Sequence, residues 1–170
     1  AGLLEILSPN YALANQVEEK DPRIEASTIT YTSPKGHGKI SGYHVHPTGD
    51  GKRGSVVVVH ENRGLNPYIA DVARRLAAAG FIALAPDGLS PLGGYPGTDD
   101  EGKVMQKTLD KDKLLEDFIA AFQWLKLGDR SNGKIGVVGF CYGGGVANAM
   151  AVRLPDLAAF EGRGVYYWAS

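Results

Sequence analysis

The residues from Lys134 to Gly145 constrain the fold more than any other stretch of the chain. A short β-branched run, Ile135 to Val138, leads directly into the motif Gly-x-Cys-x-Gly-Gly, and a helical pattern follows at once. A side chain between these glycines would project from the tip of a sharp strand-to-helix turn. Cys141, the only cysteine of the chain, occupies that position. We therefore predict that a strand of a parallel sheet ends here and presents Cys141 as a nucleophile.

The glycines of this motif are explained by the lack of space at a sharp strand-to-helix turn. A nucleophile at the tip of such a turn has a strained backbone and no room for neighbouring side chains, so Gly139 and Gly143 provide space and Gly144 lets the helix begin close to the sheet. The sulfur would lie at the helix N-terminus, where free N–H groups favour an anion. Two other interpretations exist. A lone cysteine is often a small buried apolar residue, and glycine-rich turns also bind phosphates, although the P-loop motif is absent.

Composition indicates one ordinary globular domain. The chain has 170 residues, of which 44% are hydrophobic and 22% are charged, and its formal net charge is −1. This balance gives no electrostatic argument for binding nucleic acid or an anionic membrane, and no apolar run is long enough to span a bilayer. The four histidines show no zinc-ligand spacing. We expect no cofactor and no metal.

The N-terminal residues allow two interpretations. Ala1 to Ala14 is either a short packed arm or the remainder of an export signal that ends in small residues at Ala12-Leu13-Ala14. We favour the arm, because no basic region precedes it, and we divide the chain into an arm (1–26) and one domain (27–170). We expect a soluble protein, cytoplasmic by default, with export left open.

Predicted strands and helices follow one another along the chain. Predicted strands are Ser27 to Thr32, Lys39 to Val45, Ser55 to His60, Phe81 to Ala85, Ile135 to Val138 and Gly164 to Trp168. Two predicted helices precede Cys141: one begins at Asn66-Pro67 and ends before Gly80, and one is capped by Asp112 and ends at Gly128. Pro86 to Asp110 reads as a long loop. The pattern predicts an α/β fold, a six-stranded and mostly parallel sheet with helices on both faces.

Three motifs together resemble one family. They are His60-Glu61-Asn62-Arg63-Gly64-Leu65 after a buried strand, Ala85-Pro86-Asp87 after the next, and Gly139-Phe140-Cys141-Tyr142-Gly143-Gly144. The chain from about Thr28 to Leu157 is similar to the dienelactone hydrolase family, the carboxymethylenebutenolidase-like α/β-hydrolases. The resemblance implies the α/β-hydrolase fold and a Cys-Asp-His triad that acts on esters and lactones, so we expect a small ester or lactone as substrate.

The resemblance also implies roles for individual residues. Glu61 would hydrogen-bond the resting thiol, and the backbone N–H of Asn62 would be one donor of an oxyanion hole. The turn pattern by itself places the other donor at Tyr142, the residue after the nucleophile. Arg63 would contact an anionic group or be a solvated loop residue, and Tyr95 would wall the pocket or simply pack. The loop from Leu89 to Gly97 has no arginine, which favours a more apolar or neutral ester than dienelactone.

The triad acid and base are missing from the sequence. In the α/β-hydrolase order they follow the nucleophile, but the 29 residues after Cys141 contain no histidine, and their only carboxylates are Asp156 and Glu161. A free thiol is only a few per cent thiolate at pH 7, so a base is needed. We therefore predict that the chain is the front part of a longer hydrolase, cut short after its sixth strand, with Asp and His on a second polypeptide or lost.

Two other functions stay open at this point. A class I amidotransferase also places a cysteine in a Gly-x-Cys-x-Gly turn, and a hydrolase-like binding module would keep the fold without activity. The initial hairpin, His60-Glu61-Asn62 and Gly143-Gly144-Gly145 favour the hydrolase.

Overall fold

The structure of the chain is a computed structural model that describes residues 15–154, residue 157 and the backbone of residues 165–168. It contains one six-stranded sheet. The strands are β1 (Ile24–Ser33), β2 (Gly38–Pro47), β3 (Arg53–Val59), β4 (Ile82–Pro86), β5 (Ser131–Phe140) and β6 (Val165–Trp168). All six predicted strands are present among the described residues. The proposed boundary at residue 27 stays a prediction.

The strand order is β1-β2-β4-β3-β5-β6. β2 is antiparallel to β1 and to β4, whereas β3, β4, β5 and β6 are mutually parallel. The carboxyl ends of β3, β4 and β5 therefore meet at one edge of the sheet. Crossovers between these strands put helices on the sheet faces. The described residues have the α/β-hydrolase fold, as predicted.

Four α-helices lie around the sheet in the described part of the chain: α1 (Pro67–Ala78), α2 (Asp99–Gln106), α3 (Lys111–Leu127) and α4 (Tyr142–Arg153). Helix α1 packs on one face of the sheet, where Ile69, Val72 and Leu76 belong to a hydrophobic core. Helices α3 and α4 pack on the other face, where Phe118 and Met150 belong to a second core. The two predicted helices before Cys141 thus lie on opposite faces, because each buries its own apolar stripe against the sheet.

Helix α1 begins and ends as its sequence predicts. The side chain of Asn66 accepts a hydrogen bond from the N–H of Ile69, and Pro67 occupies the first turn. Gly80 has a φ of 102° just after the helix, a conformation that glycine adopts without steric cost. Within this helix, the side chain of Asp71 accepts hydrogen bonds from the N–H groups of Gln16 and Val17, so the start of the described chain is tied to α1.

Two details of the prediction were wrong. Residues Pro86 to Asp110 are not one loop, because they contain a 3-10 turn (Ser90–Leu92) and helix α2. Helix α3 is capped by Asp110, whose side chain accepts from the N–H groups of Asp112 and Lys113, and not by Asp112. The cap is the residue just before the first helical turn, where backbone N–H groups lack a partner within the helix.

No helix in the described part of the chain is both long enough and apolar enough to cross a membrane. The two late carboxylates Asp156 and Glu161 and the segment from Ala1 to Ala14 lie outside the described residues.

Candidate active site

Cys141 lies between the end of β5 and the start of α4. Its φ and ψ are 51° and −112°, and it is the only non-glycine residue with a positive φ in the described part of the chain. Such a backbone conformation costs about 1–3 kcal/mol and persists only where the surrounding structure enforces it. The thiol is free and exposed. The turn thus holds Cys141 in a strained conformation, accessible to solvent, at the N-terminus of a twelve-residue helix.

Two glycines make this turn sterically possible. A Cβ atom on Gly139 would lie 2.0 Å from the carbonyl oxygen of Gly143. A Cβ atom on Gly143 would lie 2.5 Å from the carbonyl oxygen of Val59 and 2.6 Å from that of His60. Backbone atoms cannot move aside as a flexible side chain can, so α4 starts directly against the end of β3. The sequence explanation for Gly139 and Gly143 agrees with this geometry.

We expect Gly143→Ala to destabilise the fold by about 1–3 kcal/mol, because the added methyl group overpacks the junction of β3 and α4. Gly145→Ala is the matched control, since a Cβ atom there meets nothing within 4 Å and alanine favours the helix. Urea unfolding of both variants gives the comparison. Equal free energies of unfolding for Gly143→Ala and the parent would contradict the close approach.

His60 fixes the loop that follows β3. Its side chain is fully buried, its Nδ1 lies 2.6 Å from the carbonyl oxygen of Glu61, and its Nε2 accepts a hydrogen bond from the N–H of Gly88 at 3.0 Å. Burial lowers the pKa of His60 against the opposing effects of the Glu61 carbonyl and Asp87. The ring is therefore a neutral link between two loops at the carboxyl edge.

Four side chains near this loop form a polar network around Asp99. Asp99 accepts hydrogen bonds from Arg63 Nη1 at 3.0 Å, from Asn66 Nδ2 at 3.2 Å and from the Tyr95 hydroxyl at 2.9 Å. The Nε of Arg63 also lies 3.8 Å from a carboxylate oxygen of Glu61. Arg63 thus contacts Glu61 directly and is joined to Tyr95 through Asp99, a residue that the sequence analysis did not select.

Asp99 was missed because the segment was read as a loop. Thr98 caps α2 by accepting from the N–H of Glu101, and Asp99, Asp100 and Glu101 form an acidic first turn. A threonine followed by three acidic residues is a signal for a helix N-terminus and could have located α2. The position of Asp99 beside Arg63 depends on tertiary packing and had no local signal.

Asp87 shapes the loop that carries Tyr95. This carboxylate is buried and accepts hydrogen bonds from the N–H groups of Leu89 and Tyr95, both at 3.0 Å. The carboxylate therefore closes the loop after β4 and brings the Tyr95 ring toward the loop after β3. Burial, and then the hydrogen bond to Asp99, raise the pKa of Tyr95 to about 12.

Asn62 and Tyr142, the two predicted oxyanion donors, lie in the loop after β3 and at the start of α4. Asn62 is half-buried in the loop after β3, and Tyr142 is the first residue of α4, packed against the core of α3 and α4. Burial raises the pKa of Tyr142. Both residues belong to segments that meet where Gly143 contacts the end of β3. Their roles as backbone donors stay a prediction.

All four histidines have partners other than Cys141. His37 Nδ1 lies 2.6 Å from Asp117 Oδ2, while the rings of His44 and His46 pack against each other. These three belong to β2 or its hairpin turn, and β2 is three strands away from β5, or about 14 Å at ordinary strand spacing. Both ring nitrogens of His60 are already engaged. None of the four is placed to accept a proton from Cys141.

The described residues contain no group of three or more histidine, cysteine, aspartate or glutamate side chains that could hold a metal ion.

Comparison with known proteins identifies the family. A sequence profile of the dienelactone hydrolase family matches residues 40–163. The chain belongs to this family. The Escherichia coli K12 protein named "Putative hydrolase fragment YghX" is 64% identical over 109 residues, which cover 64% of this chain and 93% of that protein. Carboxymethylenebutenolidase 1 of Cupriavidus pinatubonensis is 27% identical over 132 residues, 74% of this chain and 56% of that protein.

Two solved structures of dienelactone hydrolase-like proteins are similar to this chain. A dienelactone hydrolase-like promiscuous phosphotriesterase from metagenomic libraries is 27% identical, has a TM-score of 0.64, and is matched over 79% of this chain and 56% of its own. The dienelactone hydrolase of Anabaena variabilis, at 23% identity and a TM-score of 0.60, is matched over 79% of this chain and 60% of its own, and supports the fold alone.

The matches also show how much of the family fold this chain spans. Apart from the Escherichia coli fragment, the curated relatives are matched over 40–63% of their own length. The chain therefore spans about half the length of these relatives.

Proposed function

We propose that this chain carries the nucleophile of a hydrolase that cleaves carboxylic esters or lactones through a thioester on Cys141. One observation supports this most. Cys141 is exposed, has a strained positive φ, and stands at the start of α4 where the parallel strands end. A structural cysteine needs neither strain nor exposure, whereas a nucleophile benefits from a position that presents its sulfur to a substrate.

The reaction follows acyl-transfer chemistry. The Cys141 thiolate attacks the carbonyl carbon of the ester, and the carbonyl oxygen becomes an oxyanion. The N–H groups of Tyr142 and Asn62 are the proposed donors to that oxyanion, each contributing about 3–4 kcal/mol of transition-state stabilisation. The intermediate collapses to a thioester and releases the alcohol, which takes up a proton. Water then attacks the thioester, so that the acid leaves and the thiol is regenerated.

Glu61 is proposed to keep the resting enzyme in the thiol form. Its side chain is only 15% exposed, and it belongs to the loop that starts where Gly143 contacts Val59 and His60. A carboxylate near the sulfur disfavours the thiolate, because two negative charges in a partly buried site repel each other.

The general base is proposed to come from polypeptide outside these 170 residues. Each of the four histidines is either three strands away from β5 or engaged through both ring nitrogens. An α-helix N-terminus alone lowers the free energy of a thiolate by about 0.3–2 kcal/mol, which is too little against the opposing charge of Glu61. A segment that carries Asp and His, continuous with this chain or supplied as a second polypeptide, would complete the site.

The hydrolase is favoured over the two other functions. The antiparallel hairpin at the start of the sheet and the family match support an ester hydrolase over an amidotransferase. The exposed and strained Cys141 argues against an inactive binding module, because such a module has no need to maintain that strain.

A direct comparison of two substrates tests this proposal. The chain, completed with the polypeptide that supplies the base, is expected to release nitrophenolate from a neutral nitrophenyl ester and no ammonia from glutamine. Ammonia release without ester cleavage would identify an amidotransferase instead. Absence of both activities, with the fold intact by circular dichroism, would support the binding module.

A further inference from the structure

We propose that Asp99 neutralises Arg63 and thereby makes the site select uncharged esters over esters that carry a carboxylate. This proposal rests on the function proposed above and specifies its substrate class. Asp99 is a positioning residue here, since it acts through Arg63 and Tyr95.

The charges beside the loop after β3 do not favour an anion. Arg63 is within 4 Å of two carboxylates, since its Nη1 lies 3.0 Å from Asp99 and its Nε lies 3.8 Å from Glu61. These three side chains, one cation and two carboxylates, together carry a charge of −1. An incoming carboxylate would have to displace Asp99 from Arg63 and would still face Glu61. The loop from Leu89 to Gly97 adds no arginine or lysine that could compensate.

Asp99 is held in place by more than the ion pair. Its carboxylate also accepts from the Tyr95 hydroxyl and from Asn66 Nδ2. Burial opposes its ionisation, but the hydrogen bonds from Tyr95, Asn66 and Arg63 together lower the pKa of Asp99. Asp99 is therefore an anion throughout the neutral pH range, and the Tyr95 hydroxyl is committed to it.

The backbone of α2 fixes this arrangement on the loop. Gly102 is buried, and a Cβ atom on it would lie 2.1 Å from the carbonyl oxygen of Arg63. The helix that begins with Asp99 therefore packs directly on the residue whose charge Asp99 neutralises. The docking of α2 therefore brings Asp99 beside Arg63, although both side chains are partly exposed, at 38% and 44%.

Alkylation of Cys141 can report the charge that a small reagent meets. Iodoacetate and iodoacetamide are similar in size and differ in charge, and in both cases the sulfur displaces iodide from a CH₂ carbon. The ratio of their rate constants cancels changes in thiol accessibility and ionisation. Cys141 is the only cysteine and is exposed, so it reacts at pH 8.5 whether or not it is the nucleophile. A failure of the proposed function therefore leaves this measurement intact.

The experiment compares Asp99→Asn with Asp100→Asn in the 170-residue chain at low ionic strength. Both variants remove one negative charge from the same helical turn, but only Asp99 contacts Arg63, while Asp100 is exposed. We expect Asp99→Asn to raise the iodoacetate to iodoacetamide ratio about three- to tenfold and Asp100→Asn to raise it by less than about twofold. The double variant Asp99→Asn with Arg63→Gln should return to the parent ratio.

A second variant keeps the proposal testable if Asp99→Asn does not fold. Arg63→Gln alone should lower the ratio below that of the parent, because it leaves Asp99 and Glu61 without their cation. Equal ratios for Asp99→Asn and Asp100→Asn would overturn the proposal. An unchanged ratio in folded Arg63→Gln would overturn it as well.

Discussion

Replacing Cys141 with alanine should reduce ester turnover by about a thousandfold or more, while leaving the free energy of unfolding close to that of the parent. The proposed mechanism has no other nucleophile, and the oxyanion donors alone would leave only weak residual catalysis. The assay uses the chain completed with the polypeptide that supplies the base, a neutral nitrophenyl ester, and urea unfolding in parallel.

The control for this experiment is a change that preserves the turn. Cys141→Ser keeps a small polar side chain at the strained position, so it separates loss of the sulfur from loss of the backbone geometry. We expect the serine variant to fold like the parent and to lose most of the activity, since a site arranged around a thiol does not activate a hydroxyl equally well. Unchanged turnover in Cys141→Ala would end the nucleophile proposal.

The second large effect concerns the missing base. The 170 residues alone should hydrolyse a nitrophenyl ester slowly, and a C-terminal segment from a family relative that carries Asp and His should raise the rate by about 10²–10⁴-fold, the usual contribution of a positioned general base. The reason is that His37, His44 and His46 lie about 14 Å from β5 and His60 is fully engaged between two loops.

A control segment without the histidine shows whether the increase in rate comes from the general base. The same segment with its histidine replaced by alanine should dock in the same way but give no increase in rate. Equal rates with the two segments would mean that the gain came from folding and not from a base. Full activity of the 170 residues by themselves would show that a proton acceptor within the chain was overlooked.

The proposed neutralisation of Arg63 changes how the site is understood. The sequence analysis left Arg63 as either an anion contact or a solvated residue, and favoured a neutral ester only because the loop after β4 lacks arginine. The contact between Arg63 and Asp99 adds an independent reason for the same preference. The two arguments can fail separately, because one concerns residues that are absent and the other a pairing that mutation can remove.

Local sequence was sufficient for much of the fold. The β-branched run before Cys141 predicted a buried strand, and Asn66, Pro67 and Gly80 predicted the two ends of α1, because strand burial and helix capping depend on near neighbours in the chain. The glycines around Cys141 likewise indicated a tight strand-to-helix turn, since a shortage of space at such a turn restricts which residues can occupy it. These features needed no knowledge of what packs against them.

Tertiary structure alone decided which polar groups meet. Arg63 and Asp99 are 36 residues apart, and nothing in either segment specifies the other. Their contact depends on Gly102 allowing α2 to approach the carbonyl of Arg63. The same holds for His60, whose neutral linking role depends on Gly88 from the next strand's loop. Short-range patterns determine which elements form, but charge pairing at the site is set by how those elements pack, because an ion pair requires only that two groups be close in space.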